Sequence, residues 1–300
     1  MSLFVELPAD AYPAGAFDGF VPGSVFSLEN ARSAMWMAQL AYESDPLKIA
    51  HIGAKWRFES IQPFPEARVR LARTEARGIV ARRGDLVMLA FAGTDPVRWQ
   101  DLAIDLDFPL TRAGNTHEGF ERVASAASAQ AQRVADECRR DGRALVIVGH
   151  SLGAGIGLLT ALIVSGTTLP AAVYAFGCPR AGGADFRARY DGAGLGARTF
   201  RLVHGRDFVA RLPPFASYKH VGRLLSCDSG TRFSGGSLTA VDSEEPAPDV
   251  RLGDFTGYLP AAVEDFLRPR GLNVFARFFG ILPPPVRDHV PDSYLAALKS

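Results

Sequence analysis

The stretch from residue 144 to residue 179 contains no Asp, Glu, Lys or Arg. A charge-free stretch of this length is typical either of a membrane span or of a deeply buried core. Turn-forming residues interrupt it at 149–151, at 165–168 and at Pro170, and they separate two β-like apolar runs from a Gly/Ala-rich helical segment. Two buried parallel strands joined by a crossover helix have this pattern. The sequence therefore predicts an α/β core here rather than a transmembrane segment.

The rest of the chain supports the same class. Its 300 residues are 47% apolar and 22% charged, which fits one α/β domain over residues 1–300. Residues 1–25 are predicted to be irregular and residues 227–254 to form a surface excursion, because both are rich in turn-forming residues. Apolar periodicity predicts strands at 76–82, 86–91, 144–148, 171–177 and 200–203, with a hairpin turn at 82–85, and helices at 27–42, 117–142, 152–165, 255–281 and 291–298.

Composition argues against several classes of function. The net charge is +1 and no basic stripe is interleaved with aromatic residues, so we expect no nucleic-acid partner. The three cysteines lie far apart without a C-x-x-C pair, and no H-E-x-x-H or Ca²⁺-loop pattern occurs, so we expect neither a metal nor another cofactor. A nucleotide-binding turn would need G-K-[ST] or G-x-G-x-x-G, and neither spacing is present near residue 149.

The first ten residues lack the basic region and the apolar core of a secretory signal. We therefore expect the chain to be cytoplasmic, to leave the cell by a signal-independent route, or to have lost its signal. The compartment stays open at this point.

Residues 149–153 read Gly-His-Ser-Leu-Gly between the apolar run 144–148 and the helical segment that follows. G-x-S-x-G between a strand and a helix is the nucleophile elbow of α/β-hydrolases, in which flanking glycines let a strained serine present its hydroxyl above the sheet edge. Ser151 is therefore the candidate nucleophile.

A nucleophilic serine needs a histidine base and a carboxylate that orients it, and in this fold both follow the serine in the chain. Asp207 comes just after the strand predicted at 200–203, where a loop presents side chains at the sheet edge. His204 lies at a strand end only three residues before this aspartate, and His220 follows it by 13 residues, too few for another strand and its connection. His289, 82 residues further on, leaves room for one. Asp207 and His289 are therefore the candidate partners; the alternatives are a loop aspartate paired with a nearby arginine and a solvated or capping histidine.

Two N–H groups should stabilise the oxyanion of the tetrahedral intermediate. One should belong to Leu152, the residue after the nucleophile. The other should follow an earlier buried strand, and Thr94, three residues beyond the strand predicted at 86–91, is the candidate, although an ordinary turn has the same spacing.

Taken together, these motifs resemble the class 3 lipase family of α/β-hydrolases from about residue 30 to the C-terminus. The matching segments follow the family order: Phe91-Ala-Gly-Thr94 at the oxyanion motif, His117-Glu-Gly-Phe120 at a helix start, the elbow, Phe176-Gly-Cys-Pro-Arg180, His204-Gly-Arg-Asp207 with Leu212-Pro-Pro214, Tyr218-Lys-His220, and His289 with Tyr294. Ala92 stands where the family usually has arginine. The resemblance implies an α/β-hydrolase fold, with a mostly parallel sheet covered by helices on both faces, and it assigns the triad to the same three residues.

The resemblance also implies a lid over residues 95–109. Apolar residues there alternate with Asp101, Asp105 and Asp107, and the candidate substrate or lid residues are Trp99, Leu102, Ile104, Leu106 and Phe108. Such a segment can cover the site in water and turn its apolar side to a lipid surface. Ordinary core residues of a helix and a strand would give the same pattern.

The sequence thus predicts a serine hydrolase that cleaves carboxylic esters of lipids through an acyl-enzyme. A soluble-ester carboxylesterase, a phospholipase A and a catalytically inactive binding relative stay open as alternatives. Chain-length preference, head group and oligomeric state cannot be read from these motifs.

Overall fold

A central sheet carries the architecture of the chain. The computed structural model describes residues 6–64, 77–93, 115–213, 215–235, 238–239 and 285–299, with the backbone alone at 70–71, 74–75 and 284. The strands are β1 Ser60–Pro63, β2 Arg70–Leu71, β3 Thr74–Glu75, β4 Arg77–Arg83, β5 Leu86–Ala92, β6 Ala144–His150, β7 Ala172–Phe176, β8 Thr199–His204 and β9 Arg223–Cys227. The α-helices are α1 Leu28–Leu40, α2 Pro46–Lys55, α3 Glu118–Asp141, α4 Leu152–Val164, α5 Ala184–Gly192, α6 Pro284–Arg287 and α7 Pro291–Ala297.

Seven of the strands form one sheet in the order β1-β4-β5-β6-β7-β8-β9. β1, β4 and β5 pair antiparallel, and every pair from β5 to β9 is parallel. β2 and β3 form a separate antiparallel pair. Because parallel strands need crossover connections, α3, α4 and α5 lie between the parallel strands in the chain. The expected α/β fold with a mostly parallel sheet is confirmed.

The two faces of the sheet are buried in two apolar layers. Alternate side chains of a strand point to opposite faces, and in β6 Val146 and Val148 join one layer whereas Leu145 and Ile147 join the other. The first layer contains side chains of α1, α2 and α7, and the second contains side chains of α3, α4 and α5. Burial on both faces explains why the sequence around β6 and β7 carries no charge.

Most of the predicted elements are found close to their expected bounds. The long helix predicted at 117–142 is α3, and it ends at Gly142 with a positive φ of 67°, a conformation that glycine adopts without strain. The predicted hairpin turn joins β4 to β5, and Gly84 there has a φ of 53°. The helical segment predicted at 255–281 and most of the surface excursion predicted at 227–254 lie outside the described residues.

In the part of the chain that the structure describes, the helices are too short or too polar for any of them to cross a membrane.

Candidate active site

Ser151 occupies the turn between β6 and α4. Its φ of 61° and ψ of −133° are rare for a residue with a side chain, and such strain costs on the order of 1–3 kcal/mol. The turn is packed against its surroundings: a Cβ on Gly149 would lie 2.6 Å from the backbone nitrogen of Ala154, and one on Gly153 would lie 2.6 Å from the carbonyl carbon of Ala92. Only glycine fits at these two positions, so the strained serine is held there by close backbone packing.

The Ser151 side chain is buried beside two other strand ends. The Ser151 N–H donates to the carbonyl oxygen of Phe176, the last residue of β7, at 2.8 Å. A Cβ on Gly93, just after β5, would lie 2.6 Å from the Ser151 Cβ. Among the described residues no group forms a hydrogen bond with the Ser151 Oγ. The hydroxyl is thus enclosed by the carboxyl ends of β5, β6 and β7 without a fixed partner from these elements.

Asp207 and His289 form a buried pair. His289 Nδ1 lies 2.8 Å from both carboxylate oxygens of Asp207, and the two side chains are 1% and 0% exposed. The carboxylate also accepts hydrogen bonds from the Val209 N–H, at 2.9 Å, and from the Tyr294 hydroxyl, at 2.6 Å. Because a carboxylate only accepts, His289 Nδ1 must carry a hydrogen. Asp207 therefore fixes both the ring orientation and the tautomer of His289.

The electrostatics of this pair favour an ionised Asp207. Burial alone would raise the pKa of the Asp207 carboxyl, but the facing His289 and the hydrogen bonds from His289 and Tyr294 outweigh it and lower that pKa. The pKa of Tyr294 is raised well above its ordinary value, first by burial and then by the Asp207 carboxylate. Tyr294 therefore remains a hydrogen-bond donor, and Asp207 remains a carboxylate.

The backbone at Gly177 lies next to both side chains of the Asp207–His289 pair. It follows Phe176, which binds the Ser151 N–H, and it has a φ of 54°. A Cβ at residue 177 would lie 2.6 Å from Asp207 Oδ2 and 2.9 Å from His289 Nδ1. The Asp207–His289 pair therefore packs against Gly177, and Ser151 is bonded to the preceding residue, Phe176. All three side chains thus lie near the end of β7.

His150, which the sequence analysis did not single out, lies beneath His289. The two ring centroids are 4.7 Å apart, with their planes inclined by 35°. His150 Nε2 lies 2.8 Å from the His289 carbonyl oxygen, and its Nδ1 lies 2.7 Å from the Tyr42 hydroxyl. Because a carbonyl only accepts, Nε2 donates and Nδ1 accepts from Tyr42. Burial, reinforced by the nearby His289, lowers the pKa of His150 to about 3, so this ring is neutral near pH 7.

Because His150 directly precedes the candidate nucleophile in the elbow, its position in the sequence indicates that it lies close to the site. Tyr42 carries no such signal, because it meets His150 from 108 residues away.

The remaining predicted site residues divide into two groups. Leu152 opens α4 and is partly buried beside an apolar cluster formed by Phe208, Val209, Leu212 and Val286. Thr94 and the lid residues Trp99, Leu102, Ile104, Leu106 and Phe108 lie outside the described residues. The imidazole of His204, the histidine that spacing excluded as the base, lies 3.2 Å from the carbonyl oxygen of Asp288. Within the ranges described, no group of three or more His, Cys, Asp or Glu side chains could hold a metal ion.

Solved structures share this architecture. Lipase II from Rhizopus niveus matches with a TM-score of 0.55 and 18% identity over 72% of this chain and 87% of its own. The Rhizomucor miehei lipase in its native propeptide complex matches with a TM-score of 0.54 and 20% identity over 71% of this chain and 73% of its own. The sheet, the helices on both faces and these matches define an α/β-hydrolase fold.

Sequence comparison adds a match over part of the chain. Residues 88–217, less than half of the chain, match the family model described as Lipase (class 3). The resemblance stated from the motifs is thereby confirmed.

The curated relatives are named either phospholipase A1 or mono- and diacylglycerol lipase. Phospholipase A1-II 4 from Oryza sativa subsp. japonica is 28% identical over 51% of this chain and 46% of its own length. Secreted mono- and diacylglycerol lipase 1 from Fusarium solani is 36% identical over 28% of this chain and 25% of its own length. The chain thus spans about half or less of the length of these relatives.

Proposed function

We propose that this chain is a serine hydrolase that cleaves carboxylic esters of lipids, with Ser151, His289 and Asp207 as its catalytic triad. The observation that carries this function is the convergence of a strained, buried serine and a buried Asp–His pair on the backbone of residues 176–177. The match of residues 88–217 to the class 3 lipase model supports the same chemistry.

In the proposed mechanism the Ser151 Oγ attacks the ester carbonyl carbon while His289 removes the hydroxyl proton. His289 Nδ1 is engaged by Asp207, so Nε2 exchanges the proton. The tetrahedral intermediate then collapses to an acyl-enzyme, and His289 returns the proton to the leaving alcohol. A water molecule repeats the sequence and releases the acid. Throughout, the Asp207 carboxylate stabilises the cationic ring that forms on His289.

The oxyanion site is proposed at the Leu152 N–H and the Thr94 N–H. Leu152 is the first residue of α4, where unsatisfied N–H groups and the helix dipole both favour negative charge. Thr94 directly follows Gly93, whose backbone lies against Ser151. Removing one such donor typically slows the reaction by about two to three orders of magnitude.

The substrate is proposed to be an acylglycerol or another lipid ester. An apolar surface adjoins His289: the Phe208 ring centroid lies 6.4 Å from the His289 centroid, and Leu152 and Leu212 pack against the same cluster. Such a surface suits an acyl chain. Residues 95–109 are proposed as a lid that contacts a lipid surface transiently.

A phospholipase A is the second candidate, since relatives named phospholipase A1 are among the matches. A soluble-ester carboxylesterase is a further alternative.

A panel of esters separates these functions. Hydrolysis is measured for p-nitrophenyl esters of increasing chain length, below and above their solubility limits, beside triacylglycerol and phosphatidylcholine emulsions. A lipase gains activity above the solubility limit, and a flat profile would refute the lipase while leaving the esterase. Ser151→Ala should abolish every activity. Ser165→Ala, at the end of α4 with its hydroxyl on the Leu162 carbonyl, is the matched control and should abolish none.

We also propose that residues 1–300 form one domain. Limited proteolysis that released two stably folded fragments would contradict this.

A further inference from the structure

Two Asp–His pairs, not one, connect the end of β8 to the segment before α7. The β8 end contributes His204 and Asp207, and the segment before α7 contributes Asp288 and His289. In the first pair the β8 end supplies the aspartate, Asp207, which binds His289. In the second pair the β8 end supplies the histidine, His204, which faces Asp288. The proposed mechanism uses the first pair and leaves the second without a role.

The second pair is buried and its hydrogen bonds are directional. Asp288 is 2% exposed and His204 is 4% exposed. Asp288 Oδ2 accepts from the Arg206 N–H at 2.8 Å and from the Ser229 hydroxyl. The Asp288 carbonyl oxygen lies 3.2 Å from His204 Nδ1, and the Gly230 N–H donates to His204 Nε2 at 3.2 Å. Because an N–H only donates, Nε2 is the acceptor and Nδ1 is the donor, so the His204 ring holds the main chain of Asp288.

Gly205 allows the β8 turn to close on Asp288. It has a φ of 57°, and a Cβ there would lie 2.7 Å from the Asp288 Cγ. A residue with a side chain would push the Asp288 carboxylate away from the Arg206 N–H. The contact between this carboxylate and the loop that carries Asp207 therefore depends on glycine at this position.

These contacts fix the main chain of residue 288, next to the histidine of the triad. The His289 carbonyl is held separately by His150 Nε2. A buried carboxylate is a poor source of stability, because its desolvation cancels much of what its hydrogen bonds gain. Directional hydrogen bonds do, however, set where a backbone lies, and a misplacement of about 1 Å can cost about a hundredfold in rate.

We propose that Asp288 is a positioning residue for the triad. Bound by Arg206 N–H, Ser229 and His204, it holds the backbone so that His289 Nδ1 meets Asp207 and Nε2 faces Ser151. Since this role presupposes the proposed ester hydrolysis, its test must separate the two.

The test compares two substitutions of nearly equal size. Asp288→Asn keeps one side-chain oxygen, which can accept from both the Arg206 N–H and the Ser229 hydroxyl as Oδ2 does, whereas Asp288→Leu keeps no acceptor. For Asp288→Leu we expect kcat to fall roughly 10- to 100-fold while KM stays within about twofold, since only the reacting geometry is disturbed. Asp288→Asn should recover kcat to within about threefold of the wild type. Asp228→Asn removes a nearby exposed carboxylate and is the matched control, with kcat unchanged.

A second readout does not depend on turnover. The proton between His289 Nδ1 and Asp207 should give a far-downfield proton NMR signal in the wild type. In Asp288→Leu this signal should shift or disappear although circular dichroism shows a folded protein. An unchanged signal together with an unchanged kcat would overturn the role of Asp288.

If Asp288→Leu does not fold, substitution of the exposed Ser229 replaces it as the test of the positioning role. Ser229→Ala removes one donor to Asp288 and should lower kcat about two- to tenfold; an unchanged kcat overturns the inference. Ser151→Ala, measured alongside, tests the proposed ester hydrolysis separately from the positioning role. Activity that survives Ser151→Ala refutes the proposed function, whereas activity lost in Ser151→Ala and kept in every Asp288 and Ser229 variant refutes only the positioning role.

Discussion

The neutral, buried His150 predicts a specific loss of stability in acid. Its pKa in the folded protein is about 3, whereas an unfolded histidine titrates near about 6.5. Between about pH 6.5 and about pH 3, His150 is protonated in the unfolded chain but not in the folded protein. The contribution of neutral His150 to the free energy of unfolding is therefore complete above about pH 6.5 and decreases as the pH falls toward about 3. Each pH unit in that window removes about 1.4 kcal/mol. Between about pH 7 and about pH 4, His150 alone should therefore remove about 3 kcal/mol from the free energy of unfolding.

The assay is urea unfolding at these two pH values for the wild type, His150→Gln and His51→Gln. His150→Gln should be less stable at pH 7, because the hydrogen bonds of His150 with the Tyr42 hydroxyl and the His289 carbonyl are lost, but it should lose about 3 kcal/mol less on acidification. His51, exposed on α2, is the matched control and should leave the pH dependence unchanged. Equal acid losses in the wild type and His150→Gln would refute a buried neutral His150.

Three further substitutions and one control test a hydrogen bond and the packing of the site. Tyr294→Phe removes a donor to the Asp207 carboxylate, so urea unfolding should show a loss of about 1–3 kcal/mol; no loss would mean that this hydrogen bond does not form. Gly177→Ala places a methyl group 2.6 Å from Asp207 Oδ2 and should lower the ester hydrolysis rate by about tenfold or more, and a rate equal to that of the wild type would contradict the close approach. Gly153→Ala should sharply lower the melting temperature, because its Cβ meets the backbone of β5, whereas Gly157→Ala, whose nearest atom is 3.4 Å away, should be tolerated. Equal melting temperatures for the two alanine variants would contradict the packing of α4 on β5.

The parts of the fold that the sequence predicted best are those with strong local signals. The charge-free strands β6 and β7 and the glycines of the elbow are set by burial and by close backbone approach, which leave marks in the residue types themselves. The strands β1 and β9 were not predicted, because they lie at the two edges of the sheet and mix polar with apolar residues, without the continuous apolar run that marks β6 and β7. The helix α2 was also missed, although Asp45 caps it and Pro46 begins it, a recognisable start signal.

The candidate site divides in the same way. Ser151 could be located from its own neighbours, whereas Asp207 and His289 needed the order of the strands and the spacing along the chain. The support around them could not be predicted, because the contacts of Tyr294 with Asp207 and of Ser229 with Asp288 join residues 87 and 59 positions apart. Such contacts exist only once the sheet has formed.

Labelling of Ser151 by a fluorophosphonate, read by mass spectrometry together with the rate of ester hydrolysis, tests the central proposal most directly. The reagent should modify the wild-type protein once, on the peptide that contains Ser151, and hydrolysis should stop in proportion to labelling. Ser151→Ala should take up no label and should lose hydrolysis by about three orders of magnitude or more. A folded wild-type protein that resists the reagent, or a Ser151→Ala variant that still hydrolyses esters, would contradict the proposed triad.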